Sequence, residues 1–288
     1  MNNRNPCLAG AFLSKGAATY NVRALLICAA LVACSSSDAL ADRETIAIIG
    51  TGDMGDSFGP RLADLGYTIV YGSRTPDSDK ARGLVEATGK GALATTQKEA
   101  AKSGDIVILA VGWPAMRTVA QSLGDLTGKI IIDVSDPWTQ GEDGYPESQV
   151  SPSSAELIQD WNPNAKVVKA LGTMSSLIID DPMAAGGIIT VPVASNDPDA
   201  SSRVAQIVHE LGMDPVDFGP LRMARYIETL QILYMIPILQ RRDEHWEFFF
   251  RRTSDWNCKW QDNWSQPVDN ADNLAAMPET QDPPTPCP

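Results

Sequence analysis

Short runs of apolar, often β-branched residues alternate along the middle of the chain with segments in which apolar residues recur every three or four positions. The first pattern predicts buried strands and the second predicts amphipathic helices. Strands are expected at 45–49, 68–71, 105–111, 130–134, 167–171, 188–194 and 216–218, and helices at 81–87, 95–101, 155–161, 197–211 and 221–240. This alternation predicts an α/β fold with a doubly wound parallel sheet and helices on both faces.

Three glycines follow the first predicted strand. Gly50, Gly52 and Gly55 have G-x-G-x-x-G spacing, and a helical pattern and a second strand come after them. In this context the motif indicates a dinucleotide-binding Rossmann fold, with a tight structural turn as the alternative. The first glycine allows the turn, the second lets the backbone approach the pyrophosphate, and the third allows close helix packing. The pyrophosphate would then face free amides at the helix N-terminus.

The end of the second strand distinguishes between the two nicotinamide cofactors. NAD sites usually carry an acidic residue there, which binds the ribose 2′-hydroxyl. This chain has Gly72, Ser73 and Arg74 instead. Because a guanidinium forms charge-assisted hydrogen bonds with phosphate, Ser73 and Arg74 predict a 2′-phosphate and therefore NADP(H). The alternative is that Arg74 is a solvated loop charge.

Ligands of doubly wound sheets bind beyond the carboxyl ends of the strands. Val111, Gly112 and Trp113 follow one predicted strand and Val134 ends the next, so we expect these residues near the nucleotide. Trp113 has two interpretations of equal weight: its ring lines the nicotinamide pocket, or it packs beneath a loop. No pair or triad of residues in the sequence suggests acid–base or nucleophilic catalysis.

Composition narrows the class of protein. The chain has 288 residues, 43% of them hydrophobic, which is enough for a substantial core. A net charge of −13 argues against nucleic acid as a partner. The two histidines and five cysteines show no spacing typical of metal ligands, so no metal site is predicted.

Residues 1–41 have the order of a secretory signal peptide: basic residues, an apolar run and small residues. Two cleavage sites compete, a lipobox that would leave a lipidated Cys34 and an A-x-A site that ends at Ala41. We expect an exported protein, periplasmic or anchored to a membrane, although free NADPH is a cytoplasmic compound. The alternative is a cytoplasmic protein whose true start lies near Arg43.

The C-terminal part divides into a helix and an extension. The predicted helix 221–240 is apolar nearly all round from 230 to 239, so we expect it to be buried, with a second copy of the chain as cover. Pro237 should kink or end it. We therefore assign 42–240 to the nucleotide-binding domain and predict a homodimer. Residues 241–288 form a Trp-rich extension followed by a Pro-rich acidic tail that we expect to be disordered.

Five sequence blocks resemble the NADP oxidoreductases that act on the deazaflavin coenzyme F420. They are IAIIGTGDMG, YGSR, ILAVGW, VVKALGTM and FGPLRMARYIETL, spread over 45–239. The same module is similar to that of STEAP-type metalloreductases and, more distantly, to pyrroline-5-carboxylate reductase. The resemblance implies direct hydride transfer between nicotinamide and a deazaflavin or flavin-like small-molecule acceptor, without a catalytic residue.

The resemblance also implies particular cofactor contacts. Thr51, Gly52, Asp53 and Met54 would hold the pyrophosphate, and residues 173–176 would approach the nicotinamide or the second ring. The complete predicted cofactor site comprises Gly50, Thr51, Gly52, Asp53, Met54, Gly55, Ser73, Arg74, Val111, Gly112, Trp113, Val134 and Ser176.

Gly172 departs from the family pattern, since deazaflavin-dependent members tend to have a larger polar residue there. The alternatives to a deazaflavin-linked enzyme are a flavin-relayed metal or quinone reductase of the STEAP type and a non-catalytic nucleotide-binding lipoprotein.

Overall fold

A computed structural model describes residues 44–241, together with residues 247, 249 and 250. The predicted signal peptide at 1–41, with its competing cleavage sites, lies outside the described residues. So does most of the predicted Trp-rich extension and acidic tail.

An eight-stranded sheet in the order β10-β9-β8-β5-β4-β1-β2-β3 forms the centre of the domain. Its strands are β1 (Thr45–Ile49), β2 (Thr68–Ser73), β3 (Leu93–Thr96), β4 (Ile106–Leu109), β5 (Ile130–Asp133), β8 (Lys166–Lys169), β9 (Thr190–Ser195) and β10 (Asp214–Asp217). A separate hairpin pairs β6 (Trp138–Gln140) with β7 (Pro146–Ser148). The Rossmann-like α/β fold is therefore confirmed.

The helices are α1 (Asp53–Asp64), α2 (Asp79–Thr88), α3 (Gln97–Ser103), α4 (Trp113–Ser122), α5 (Ser154–Trp161), α6 (Ser176–Asp180), α7 (Pro198–Glu210) and α8 (Ala224–Arg241), with a 3₁₀ helix at Leu221–Met223. Alternate residues of β1 belong to different cores. Ile48 packs with Phe58 of α1 on one face, and Ile49 packs with Met116 of α4 on the other. Both faces are thus covered, as expected for a doubly wound sheet.

The sheet is not wholly parallel, which corrects one detail of the prediction. β8 pairs with β9 in antiparallel orientation, and β10 is parallel to β9. The last two strands therefore run opposite to the other six. The reason lies in the connection after β8. Its helix, α6, has only five residues, and the chain enters β9 at the same edge at which it leaves β8.

Three short elements were missed in the sequence analysis. β3 at the sheet edge is the polar sequence LATT, which has no strong strand pattern. The hairpin β6–β7 lies partly in a segment that its glycine, proline and acidic content predicts as loop. α6 is too short for helical periodicity to be visible.

The C-terminal helix was predicted at 221–240 and is α8, Ala224–Arg241. Of the two expected effects of Pro237, a kink or an end, the structure excludes the end, because the helix continues past it. Within the described part of the chain, the segment 230–239 is mostly half-buried: Tyr234 is buried, whereas Leu233 is 48% exposed. The expected dimer therefore stays a prediction. None of the helices in the described residues has the length and apolar character needed to span a bilayer.

Candidate nucleotide-binding site

The glycine loop between β1 and α1 shows why two of its glycines are needed for folding. Gly50 has a φ of +124°, and a Cβ atom there would lie 2.2 Å from the carbonyl oxygen of Ala110. A Cβ on Gly55 would lie 2.5 Å from the carbonyl oxygen of Gly50. A side chain at either position would collide with backbone. These two glycines therefore serve the turn and the helix packing.

Gly52 differs from the other two glycines. A Cβ atom there would have no protein atom within 4 Å, so the residue faces open space. Gly52 is also the N-cap of α1 and has no side chain to cap the helix. The amides of Asp53, Met54 and Gly55 in the first turn have no acceptor within the helix and are available to an anion. The exposed carboxylates of Asp53 and Asp56 partly offset the helix dipole that such an anion would meet.

A cleft of about 370 Å³ opens beside this loop, at the carboxyl ends of β1, β2 and β4. Its volume lies in the range of small-molecule sites. Seven of the predicted site residues line it, with seven further residues: Gly50, Thr51, Gly52, Gly72, Ser73, Arg74, Thr75, Lys80, Gln97, Ala110, Val111, Gly112, Ala115 and Val119. No carboxylate is among these lining residues.

The β2 end of the cleft carries its positive charge. Arg74 and Lys80 are exposed and line this end. Ser73 is buried, and its Oγ accepts a hydrogen bond of 3.1 Å from the amide of Thr75, which orders the turn after β2. Gly72 allows α3 to come close, since a Cβ there would lie 3.0 Å from the Cα of Gln97. Lys80 was missed in the sequence analysis, although it follows Arg74 closely in the chain, and a second cation just beyond β2 is the signal that could have found it.

Several predicted site residues lie away from this cleft. Trp113 stacks on Trp161 of α5, with 5.9 Å between ring centroids, and packs on the core beneath α4. Trp113 therefore packs against helix α5 and not beneath a loop, and its contact with the nicotinamide stays a prediction. Val134 is buried in the core, so its side chain is not part of the cleft lining. Ser176 begins α6, which packs against α1, and it too lies outside the lining.

A buried polar cluster lies two strands further along the same sheet edge. It consists of Asp133 at the end of β5, Lys169 at the end of β8, Ser154 at the start of α5 and Glu228 in α8. Lys169 Nζ lies 3.1 Å from Asp133 Oδ2 and 3.5 Å from Glu228 Oε1, and both Lys169 and Asp133 are 0% exposed. Burial raises the pKa of Glu228, partly offset by Lys169.

The sequence analysis missed this cluster. Asp133, Lys169 and Glu228 are charged residues in otherwise apolar elements. A charge in such a segment is the sequence signal that could have revealed the cluster. Four separate elements must meet before the charges become partners, and only the fold brings them together.

Taken together, the fold and the glycine-lined cleft define a Rossmann-type domain suited to a phosphorylated dinucleotide. Residues 45–137 match the model of a family described as NADP oxidoreductase, coenzyme F420-dependent. The chain is also similar to the F420-dependent NADP reductase of Methanothermobacter marburgensis, with 27% identity over 64% of this chain and 88% of that protein.

Two further relatives extend the comparison. A crystal structure of a candidate F420-dependent NADP reductase from an Arthrobacter species has 28% identity and a TM-score of 0.65, covering 73% of this chain and all of the other. The metalloreductase STEAP3 of Rattus norvegicus is 30% identical over 65% of this chain, which spans about a third (36%) of that relative's length. These matches confirm the predicted resemblance to the F420-dependent NADP oxidoreductases.

Proposed function

We propose that this protein is an NADPH-dependent oxidoreductase that transfers hydride to a deazaflavin or flavin-like acceptor. The observation that carries the proposal is the cleft beside the glycine loop. It is open at Gly52, carries Arg74 and Lys80 at its β2 end and has no carboxylate in its lining. An NAD site would place an acidic residue at that end.

NADP(H) fits the residues present. The amides of the α1 N-terminus would hold the pyrophosphate, and Ser73, Arg74 and Lys80 would hold the 2′-phosphate. The strand order β2-β1-β4-β5 then directs the nicotinamide toward the loops after β4 and β5. When bound, the cofactor supplies the hydride, and the protein contributes alignment of the two rings and exclusion of water.

Coverage of the relatives favours a deazaflavin or flavin acceptor over the alternatives. The similarity to the F420-dependent NADP reductase extends over 88% of that protein, whereas the similarity to STEAP3 is confined to 36% of it. A flavin-relayed metal or quinone reductase is therefore the second candidate. The two candidate activities are distinguished by measuring NADPH oxidation by the mature protein with each acceptor in turn: deazaflavin, FMN, FAD, ferric chelates and quinones. A nucleotide-binding lipoprotein without catalysis would bind NADPH and reduce none of these acceptors.

Substitution Arg74→Ala should weaken NADPH binding by about 1–3 kcal/mol, because one charge-assisted contact with the 2′-phosphate is lost. NADH, which has no 2′-phosphate, should bind Arg74→Ala as it binds the wild type. Fluorescence titration at low and high salt measures both affinities. Because Arg74 is exposed, the effect on NADPH should shrink as salt is added.

The matched control for this test is Lys102→Ala. Lys102 is also an exposed cation, but it lies in the last turn of α3, at the opposite edge of the sheet. Its loss should change neither affinity. An equal loss of NADPH and NADH affinity in Arg74→Ala would show that Arg74 does not bind the 2′-phosphate.

A further inference from the structure

All three hydrogens of the Lys169 ammonium group are engaged in hydrogen bonds within the cluster. It donates to the carbonyl oxygen of Ser135 at 2.6 Å, to Ser154 Oγ at 3.0 Å and to Asp133 Oδ2 at 3.1 Å. An ammonium group has three hydrogens to donate. None is left for Glu228, although the carboxyl group of Glu228 lies nearby. Glu228 is therefore a buried acid without a cationic hydrogen-bond donor in the cluster.

The hydroxyl of Ser154 shows that the cluster holds an extra proton. Ser154 Oγ lies 2.6 Å from Asp133 Oδ2 and 2.6 Å from Glu228 Oε1, and it also accepts from Lys169. A hydroxyl has one hydrogen, so it can donate to only one of the two carboxyl groups. The other short contact requires a hydrogen on the carboxyl group itself. One proton also makes the cluster neutral, since one buried cation faces two buried acids.

Geometry assigns this proton to Glu228 rather than to Asp133. Asp133 accepts from Lys169 through Oδ2 and from the amide of Ser135 through Oδ1 at 2.9 Å, so both of its oxygens already accept from protein donors. Within the cluster, the carboxyl group of Glu228 accepts from the backbone amide of Ser154 and from no other N–H group. Its Oε1 lies next to the Ser154 hydroxyl. Ser154 would then donate to Asp133, and Glu228 would donate to Ser154.

Glu228 also reaches a small cleft. Asp136, Trp138, Ser148, Gln231 and Ile232 line this cleft with it, and Asp136 is exposed to solvent. Gln231 is 3% exposed and donates to the carbonyl oxygen of Gly172, yet its Oε1 has no hydrogen-bond partner among the described residues. A buried amide oxygen without a partner is costly and indicates a water or ligand group in the cleft.

The position of this cleft connects it with the proposed reaction. Asp136 lies in the loop after β5 and Gly172 in the loop after β8, at the sheet edge toward which the nicotinamide would point. We propose that Glu228 carries a proton at neutral pH and delivers it, through this cleft, to the acceptor that is being reduced. This inference rests on the proposed function and names a proton source for the reduced acceptor.

The acceptor would gain one bond to the hydride that bound NADPH supplies and one bond to the proton of Glu228, whose O–H bond breaks. A proton from solvent then returns to the Glu228 carboxylate through the small cleft, at whose exposed side Asp136 lies. The other groups that face Glu228 are Asp133 and Lys169 from the strands, Ser154 from α5 and Asp136 from the loop after β5. Desolvation raises the pKa of Asp136 to about 8, and the hydroxyl of Tyr234 lies near Asp136 and donates to Glu247 Oε1 at 3.3 Å.

Infrared spectroscopy of the nucleotide-free protein tests the protonation directly. At neutral pH the wild type should show the carbonyl band of a protonated carboxylic acid, and this band should shift in D₂O. Because desolvation raises the pKa of Asp136 to about 8, the comparison is made in Asp136→Asn protein, in which Glu228→Gln should lose the band. The glutamine amide can still donate to Ser154 Oγ and accept from the Ser154 amide. Glu156→Gln, which removes a half-buried acid paired with Arg225, should keep the band. Asp136→Asn protein without the band, or a band that persists when Glu228→Gln is added to it, overturns the proposal.

Turnover with NADPH and FMN tests the delivery step. Glu228→Gln should lower kcat about a hundredfold and change its solvent isotope effect, with NADPH affinity unchanged. Unchanged kcat in Glu228→Gln overturns proton delivery even if the band is present. Failure of the wild type to bind NADPH would instead overturn the proposed function, and the two failures are thus distinguishable.

Discussion

Replacement of Lys169 by methionine is expected to lower the free energy of unfolding by about 3–5 kcal/mol. Lys169 is fully buried and supplies the only positive charge of the cluster that it forms with Asp133, Glu228 and Ser154. Its removal leaves the Asp133 carboxylate without a counter-ion at a site that water does not reach. The carbonyl oxygen of Ser135 also loses a donor. Methionine fills a similar volume, so the loss reports on charge rather than on a cavity.

Urea denaturation of Lys169→Met measures this loss. Lys102→Met is the control, since Lys102 is exposed and its substitution should change stability by no more than about 0.5 kcal/mol. Adding Asp133→Asn to Lys169→Met removes the unpaired charge and should recover part of the stability. A loss of less than about 1 kcal/mol in Lys169→Met would mean that the cluster is hydrated or that its charges are not coupled.

Substitution Gly52→Ala should weaken NADPH binding by about 2–3 kcal/mol, because the new methyl group occupies the space through which the backbone approaches the pyrophosphate. The free protein should tolerate the change. A Cβ at Gly52 has no neighbour within 4 Å, and the backbone φ of −89° suits alanine. The expected stability change is within about 1 kcal/mol, since alanine is a poorer N-cap than glycine. Nucleotide titration and thermal unfolding measure the two effects.

Two other glycines give matched controls for Gly52→Ala. Gly55→Ala should lower stability by about 1–3 kcal/mol as well as binding, because its Cβ would lie 2.5 Å from the carbonyl oxygen of Gly50. Gly83→Ala, on the exposed face of α2, should leave binding unchanged and stabilise the protein by about 0.5–1 kcal/mol. If Gly52→Ala binds NADPH as the wild type does, the opening at Gly52 is not where the pyrophosphate lies.

The parts of the site that could be predicted from the sequence are those that form locally. Gly50 to Gly55 lie within one strand–turn–helix unit, and Ser73 and Arg74 end the adjacent strand, so their spacing in the chain determines their spacing in the fold. Trp113 shows the limit of such reasoning. Its place after β4 suggested the nicotinamide pocket, but its ring orientation depends on Trp161, which lies far away in sequence.

The hydrophobic periodicity and the glycine spacing were enough to predict the fold class, which the structure confirms. Together with Ser73 and Arg74 they also predict the edge of the sheet that binds ligands and a preference for a 2′-phosphate, which stay predictions. These properties depend on short-range backbone chemistry, which is written in consecutive residues. Only the tertiary structure decided the direction of β9 and β10 and the pairing of Lys169 with Asp133 and Glu228. Those features depend on contacts between distant elements, and a charge inside an apolar segment acquires its partner only when the chain has folded.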